Sequence, residues 1–182
     1  LFYLARIEIL TGAWESAQTH AQQALELTLQ GKHAGELAWA TLIEALVEAH
    51  LGLVGPARRH IDEGLDASER FGAHSAGCEL LGVLGFLELS LGNLTEAERA
   101  LSRLSEKVEV MELREPALFR FHGDLVETLV LLGRLDDAEE VLTRLARTRE
   151  STWASVVDAR GRGLIASARG DVPLAIAKLE EA

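Results

Sequence analysis

Leu91–Ala97 reads LGNLTEA, a glycine followed five positions later by an alanine. The same pair recurs at Gly12 and Ala17, Gly52 and Ala57, Gly133 and Ala138, and Gly170 and Ala175. The glycines stand 40, 40, 41 and 37 residues apart, and a motif at so even a step marks an array of one repeated unit. Around Gly92 the apolar run Leu80–Leu91 spans about three helical turns, and the glycine falls where a helix end wants a left-handed residue. Leu94 plugs the corner, with Trp14, Val54, Leu135 and Val172 as its equivalents. Thr95 with Glu98 is spaced as a capping box for the next helix, and Asp136 with Glu139 as a variant of it. The alanine is small because two antiparallel helices cross closely there, so each unit is a helical hairpin. Pro56, Pro116 and Pro173 all fit first-turn positions.

The expected fold is an all-α, right-handed superhelix (an α-solenoid) of about five antiparallel helical hairpins. The units run about 1–33, 34–72, 73–113, 114–150 and 151–182, in one continuous domain. The helices pair as 1–11 with 13–30, 36–51 with 55–70, 75–91 with 95–107, 116–132 with 136–149, and 152–169 with 172–182. Glu106–Glu115 fits either a helix extension or a crossover. Helices before each glycine are apolar nearly all round, as in Leu80, Leu81, Val83, Leu84, Phe86, Leu87 and Leu89, and predict an inner layer. Those after it are amphipathic: Trp14, Ala17, Ala21, Ala24, Leu25 and Thr28 share one side of the second helix, with Gln18, Gln22, Gln23 and Glu26 outside.

Composition agrees. Of 182 residues only 5% are aromatic and three are proline, which favours helices over sheet. The single cysteine, Cys78, excludes a disulfide framework and fits a reducing cytoplasm. No apolar run approaches the roughly 18 residues of a membrane span, and no signal peptide opens the chain. A start at Leu1 inside an apolar helix and a stop at Ala182 in mid-pattern read as a piece of a longer protein. With 29 acidic and 18 basic residues the formal charge is −11, the wrong sign for displacing counterions from DNA.

The glycine–alanine turn, with a small residue seven before the glycine at Ala5, Ala45, Gly85 and Gly163, resembles the tetratricopeptide repeat. The period near 40 instead of 34, and Glu8, Glu48 and Glu88 at the tyrosine-type position, shift the likeness. They resemble the longer hairpin repeats of large ATP-dependent LuxR-family transcriptional regulators of the maltose-regulon activator type. ARGRGLIASARGD at 159–171 with PLAIAKLE after it, and LGRLDDAEEVL at 132–142, carry most of that resemblance. It implies a regulatory segment for effector sensing and self-association, with the ATPase and helix-turn-helix domains elsewhere. Neither a G-x-x-x-x-G-K-[ST] phosphate loop nor a basic recognition helix occurs within these residues. The other reading is a free-standing scaffold that holds a partner protein or peptide in its concave groove.

Candidate site residues follow from register. Glu8, Glu48 and Glu88 occupy equivalent places, with Glu44 beside Glu48, and Arg160 and Arg162 add positive charge late in the chain. They are either one charged face of a groove or a solvated stripe. Arg120, Asp124 and Glu127 follow i, i+4, i+7 spacing, with His122 nearby, and fit either a polar effector site or an exposed helical pair. Glu48, Glu88, Arg120, Asp124, Glu127 and Arg160 are therefore the candidate groove residues. His74 and Cys78 have metal-ligand spacing but no recognisable third and fourth ligand. Gly77, Gly82 and Gly85 predict close helix approach, and Arg144, Arg147 and Arg149 oppose a helix dipole. No catalytic motif occurs. The expectation is no enzyme, no cofactor, no metal, no direct nucleic-acid contact and no membrane. Partners would be protein, through repeat surfaces and open ends, or a small-molecule effector.

Overall fold

The computed structural model describes residues 1–31, 34–111, 118–147 and 151–182. They form ten α-helices and no strand: α1 (Phe2–Thr11), α2 (Trp14–Gln30), α3 (Leu37–His50), α4 (Val54–Phe71), α5 (His74–Ser90), α6 (Leu94–Val110), α7 (His122–Leu131), α8 (Leu135–Leu145), α9 (Thr152–Ala168) and α10 (Val172–Glu181). A short 3-10 turn, Ala34–Glu36, leads into α3. The helices pack in neighbouring pairs. The chain divides into two compact units, Leu1–Leu87 and Glu88–Ala182, with the division inside α5.

The repeated glycine builds the same turn each time. Gly12, Gly52, Gly92, Gly133 and Gly170 all have φ between 72° and 79°, a region that costs other residues a Cβ clash. The amide after the glycine donates to the carbonyl four residues before it: Ala13 to Glu8, Leu53 to Glu48, Asn93 to Glu88, Arg134 to Leu129 and Asp171 to Ala166, at 2.8–2.9 Å. With the glycine amide bonded three residues back, this is a Schellman ending, and it satisfies carbonyls that a helix end leaves open. The alanine amide closes the first turn of the next helix, from Ala17 to Ala13 through to Ala175 to Asp171. All five alanines are buried.

So tight a turn leaves one residue between the glycine and the next helix, which overturns the capping-box expectation. Asn93 is the N-cap of α6 and makes no side-chain cap bond, while Thr95 already lies inside the helix. Arg134 holds that place before α8, so Asp136 and Glu139 are also helical. Glu98 instead meets Ser102 and Arg134, and Glu139 meets Arg169. Side-chain caps occur at Ser151, which accepts from the Ala154 amide, and in the fifth turn at Asp171, which accepts from that of Leu174. The stretch after Glu106 continues α6 to Val110, and α7 begins at His122, not near 116. Pro116, Leu113 and Arg149 lie outside the described residues.

In unit one, Leu42, Ala45, Ile61, Leu80, Val83 and Leu87 belong to one apolar cluster. A second joins Ala5, Ala17 and Ala21 of the first hairpin to Ile43 and Val47 of α3. The expected contrast between helices appears in α3, where ten of fourteen residues are buried, against six of eighteen in α4. In unit two, Leu101, Leu104, Leu125, Val126, Leu142 and Leu145 are buried to within a few per cent. Gly161 of α9 sets the approach to α7 and α8, because a Cβ there would meet Leu142 Cδ2 at 2.9 Å and Val126 Cγ1 at 3.1 Å.

Candidate functional site

In unit one the glutamates four before the turn glycine do not form a solvated stripe. Each points across its hairpin. His20 Nδ1 lies 2.8 Å from Glu8 Oε2, and His60 Nδ1 lies 2.8 Å from Glu48 Oε2. Each histidine is twelve residues after its glutamate and eight after the glycine, so the register that repeats the turn also repeats the pair. Glu48 is only 8% exposed. The histidines were the missing half of the sequence reading, and their common register with the glycine was the signal that could have found them.

The later hairpins vary this position. Glu88, in unit two and 4% exposed, accepts from Asn93 Nδ2 at 2.7 Å, and the histidine position is Ala100. In the fourth hairpin the two places hold Leu129 and Val141, both buried. The carboxylates are thus interior fastenings of individual hairpins. A carboxylate–imidazole pair fills the position in the first two hairpins and an apolar pair in the fourth.

Glu44 stands apart. It lies one turn before Glu48 on α3, is 3% exposed, and makes no hydrogen bond among the described residues. Burial, then the neighbouring Glu48 charge, push its carboxyl up to about 7, with His60 opposing.

In unit two, four of the expected residues come together beside α7 and α9. Arg120, Gly123, Asp124, Trp153, Val156, Val157, Arg160 and Gly161 line a cleft of about 190 Å³. Arg160 Nη2 donates to Glu127 Oε2 at 2.6 Å. Arg120 precedes α7 and is exposed, so its relation to Asp124 is not the helical i, i+4 geometry that spacing suggested. Asp124 is pushed up to about 6 by burial and then by the Glu127 charge, while Arg160 pulls the other way. His122 stacks on Phe121 at 4.1 Å and meets the Trp153 ring edge-on at 5.8 Å. Its Nδ1 is buried without a hydrogen-bond partner among the described residues. Burial and, after it, Arg144 hold its pKa down to about 4, so the ring is neutral at pH 7.

The other arginines are held locally. Arg162 donates to Asp158 at 2.8 Å, and Arg144 to Glu109 at 2.6 Å. His74 is exposed whereas Cys78 is buried, so the helical spacing does not bring them to one site. Gly77 packs closely, with Ser68 Oγ 2.6 Å from where a Cβ would stand. Among the described residues no helix is long and apolar enough to cross a membrane. No protein-family model matches the chain, and no curated protein matches it.

Proposed function

We propose that this chain is a non-catalytic sensing and protein-interaction segment of a LuxR-type transcriptional regulator in the cytoplasm. On this reading the hairpins stack as a right-handed superhelix and couple effector binding or self-association to ATPase and DNA-binding domains outside these residues. The observation that carries it is the hairpin unit itself, whose turn hydrogen bonds repeat five times at the register of the resemblance. The cleft beside α7 and α9 adds a place for an effector. Arg120 and Arg160 offer cationic donors, Asp124 a carboxyl and Trp153 an apolar wall. Its volume, below the roughly 300 Å³ of ordinary ligand pockets, suits a small anionic or hydroxylated group.

The test is to read the parent reading frame on both sides of Leu1 and Ala182. A phosphate-loop ATPase before and a helix-turn-helix after are expected. Start and stop codons close to both ends would overturn the regulator reading and leave a repeat scaffold. Tight, sequence-specific DNA binding by this segment alone would also overturn it, because nothing in its charge provides for that contact.

A further inference from the structure

We propose that Glu44, Glu48 and His60 form a binding site for one divalent transition-metal cation, of which Zn²⁺ fits best. Glu44 and Glu48 are four apart on α3, so their carboxylates share one face, and His60 reaches them from α4. One ligand atom from each residue lies within 4.8 Å of the other two. The donor set is one imidazole nitrogen and two carboxylate oxygens. Three such ligands with a place left for water suit Zn²⁺, whereas Mg²⁺ and Ca²⁺ prefer oxygen alone. Zn²⁺ bonds of about 2.0–2.1 Å at tetrahedral angles put ligand atoms about 3.4 Å apart. Binding therefore opens the His60 Nδ1–Glu48 Oε2 separation slightly from its 2.8 Å.

The first hairpin separates a ligand site from an ordinary ion pair. It carries Glu8 and His20 in the same register at the same 2.8 Å, yet Leu4 stands where the second hairpin has Glu44. The Glu–His pair is thus accounted for by the hairpin, and Glu44 is not. A carboxyl that is 3% exposed, beside a second carboxylate and without a hydrogen bond among the described residues, is opposed only by the His60 imidazole, which is already bonded to Glu48. The Glu26 carboxylate on α2 adds to the negative field. A cation between the three groups neutralises Glu44 and Glu48 and replaces the His60 Nδ1–Glu48 bond, with release of any proton shared there.

The experiment is calorimetric titration of the chelator-treated chain with ZnCl₂ at pH 7.5 in excess Mg²⁺. Wild type, Glu44→Gln, His60→Gln and Glu8→Gln are compared, each first checked by far-UV circular dichroism. One Zn²⁺ per chain is expected. Glu44→Gln, which removes an unpartnered buried carboxyl and so keeps the fold, should weaken Kd at least tenfold, and Glu8→Gln should leave it within twofold. Absence of stoichiometric binding, an unchanged Kd in Glu44→Gln, or an equal loss in Glu8→Gln would overturn the site. Co²⁺ provides a second readout: a thiolate charge-transfer band would assign the metal to Cys78 and overturn it too.

Discussion

The fourth hairpin suggests a sharp experiment on the second. Where α3 and α4 hold Glu48 and His60, α7 and α8 hold Leu129 and Val141, so Glu48→Leu, His60→Val and the double variant transplant one solution onto the other. Removing His60 alone strands Glu48, 8% exposed, beside Glu44, 3% exposed, with no imidazole hydrogen bond to hold it. Breaking a buried pair from one side costs about 3–5 kcal/mol, or roughly 6–20 °C in Tm for a chain of this size. Glu48→Leu alone leaves the His60 Nδ1 without its acceptor, at about 1–3 kcal/mol, and relieves Glu44 of a like charge. The double variant removes both polar groups and should lie within about 1 kcal/mol of wild type, giving a coupling energy of at least about 2 kcal/mol. Urea unfolding with tryptophan fluorescence reads this, because Trp14 and Trp39 report on unit one and Trp153 on unit two. Additive effects, with coupling below about 0.5 kcal/mol, would refute the interior-fastening account.

Two titrations oppose each other around α7. His122, held at about 4 against 6.5 unfolded, contributes stability that is complete above pH 6.5 and lost as pH falls toward 4. The full effect is about 3 kcal/mol. His122→Gln should flatten that acid limb in urea midpoints measured from pH 7 to 4, and an unaltered limb would remove His122 as its cause. Asp124 runs the other way, raised from 3.8 to about 6, so the folded state is favoured at low pH and loses stability as pH rises through 6. Asp124→Asn should therefore stabilise by about 2–3 kcal/mol at pH 7 and by little at pH 4, and an equal gain at both values would count against the ionised carboxyl. Gly64→Ala should cost about 1–3 kcal/mol despite alanine's helix propensity. Its Cβ would stand 2.5 Å from the Oγ1 of buried Thr41 and 2.7 Å from Leu80 Cδ1. A gain in thermal denaturation midpoint would show that this contact yields freely.

The hairpins were legible in the sequence because their determinant is local. A left-handed glycine and an alanine five later act within one turn, through backbone bonds that span six residues, and five copies make the signal unmistakable. Helix identity, order and most boundaries followed from that register and the apolar runs. The start of α7 did not, since 116–132 reads as one apolar stretch and nothing local shows where the helix begins. The site was only half legible. Spacing proposed Arg120, Asp124 and Glu127 together, but Arg160 is 33 residues beyond Glu127, and packing at Gly161 decides that they meet. Likewise Glu8, Glu48 and Glu88 read as a charged stripe, because a glutamate on an apolar helix has the same letter whether it faces water or a histidine. Local sequence thus determined where the chain turns. Tertiary structure decided which charges lose their water, because burial and partner choice depend on helices that are distant along the chain.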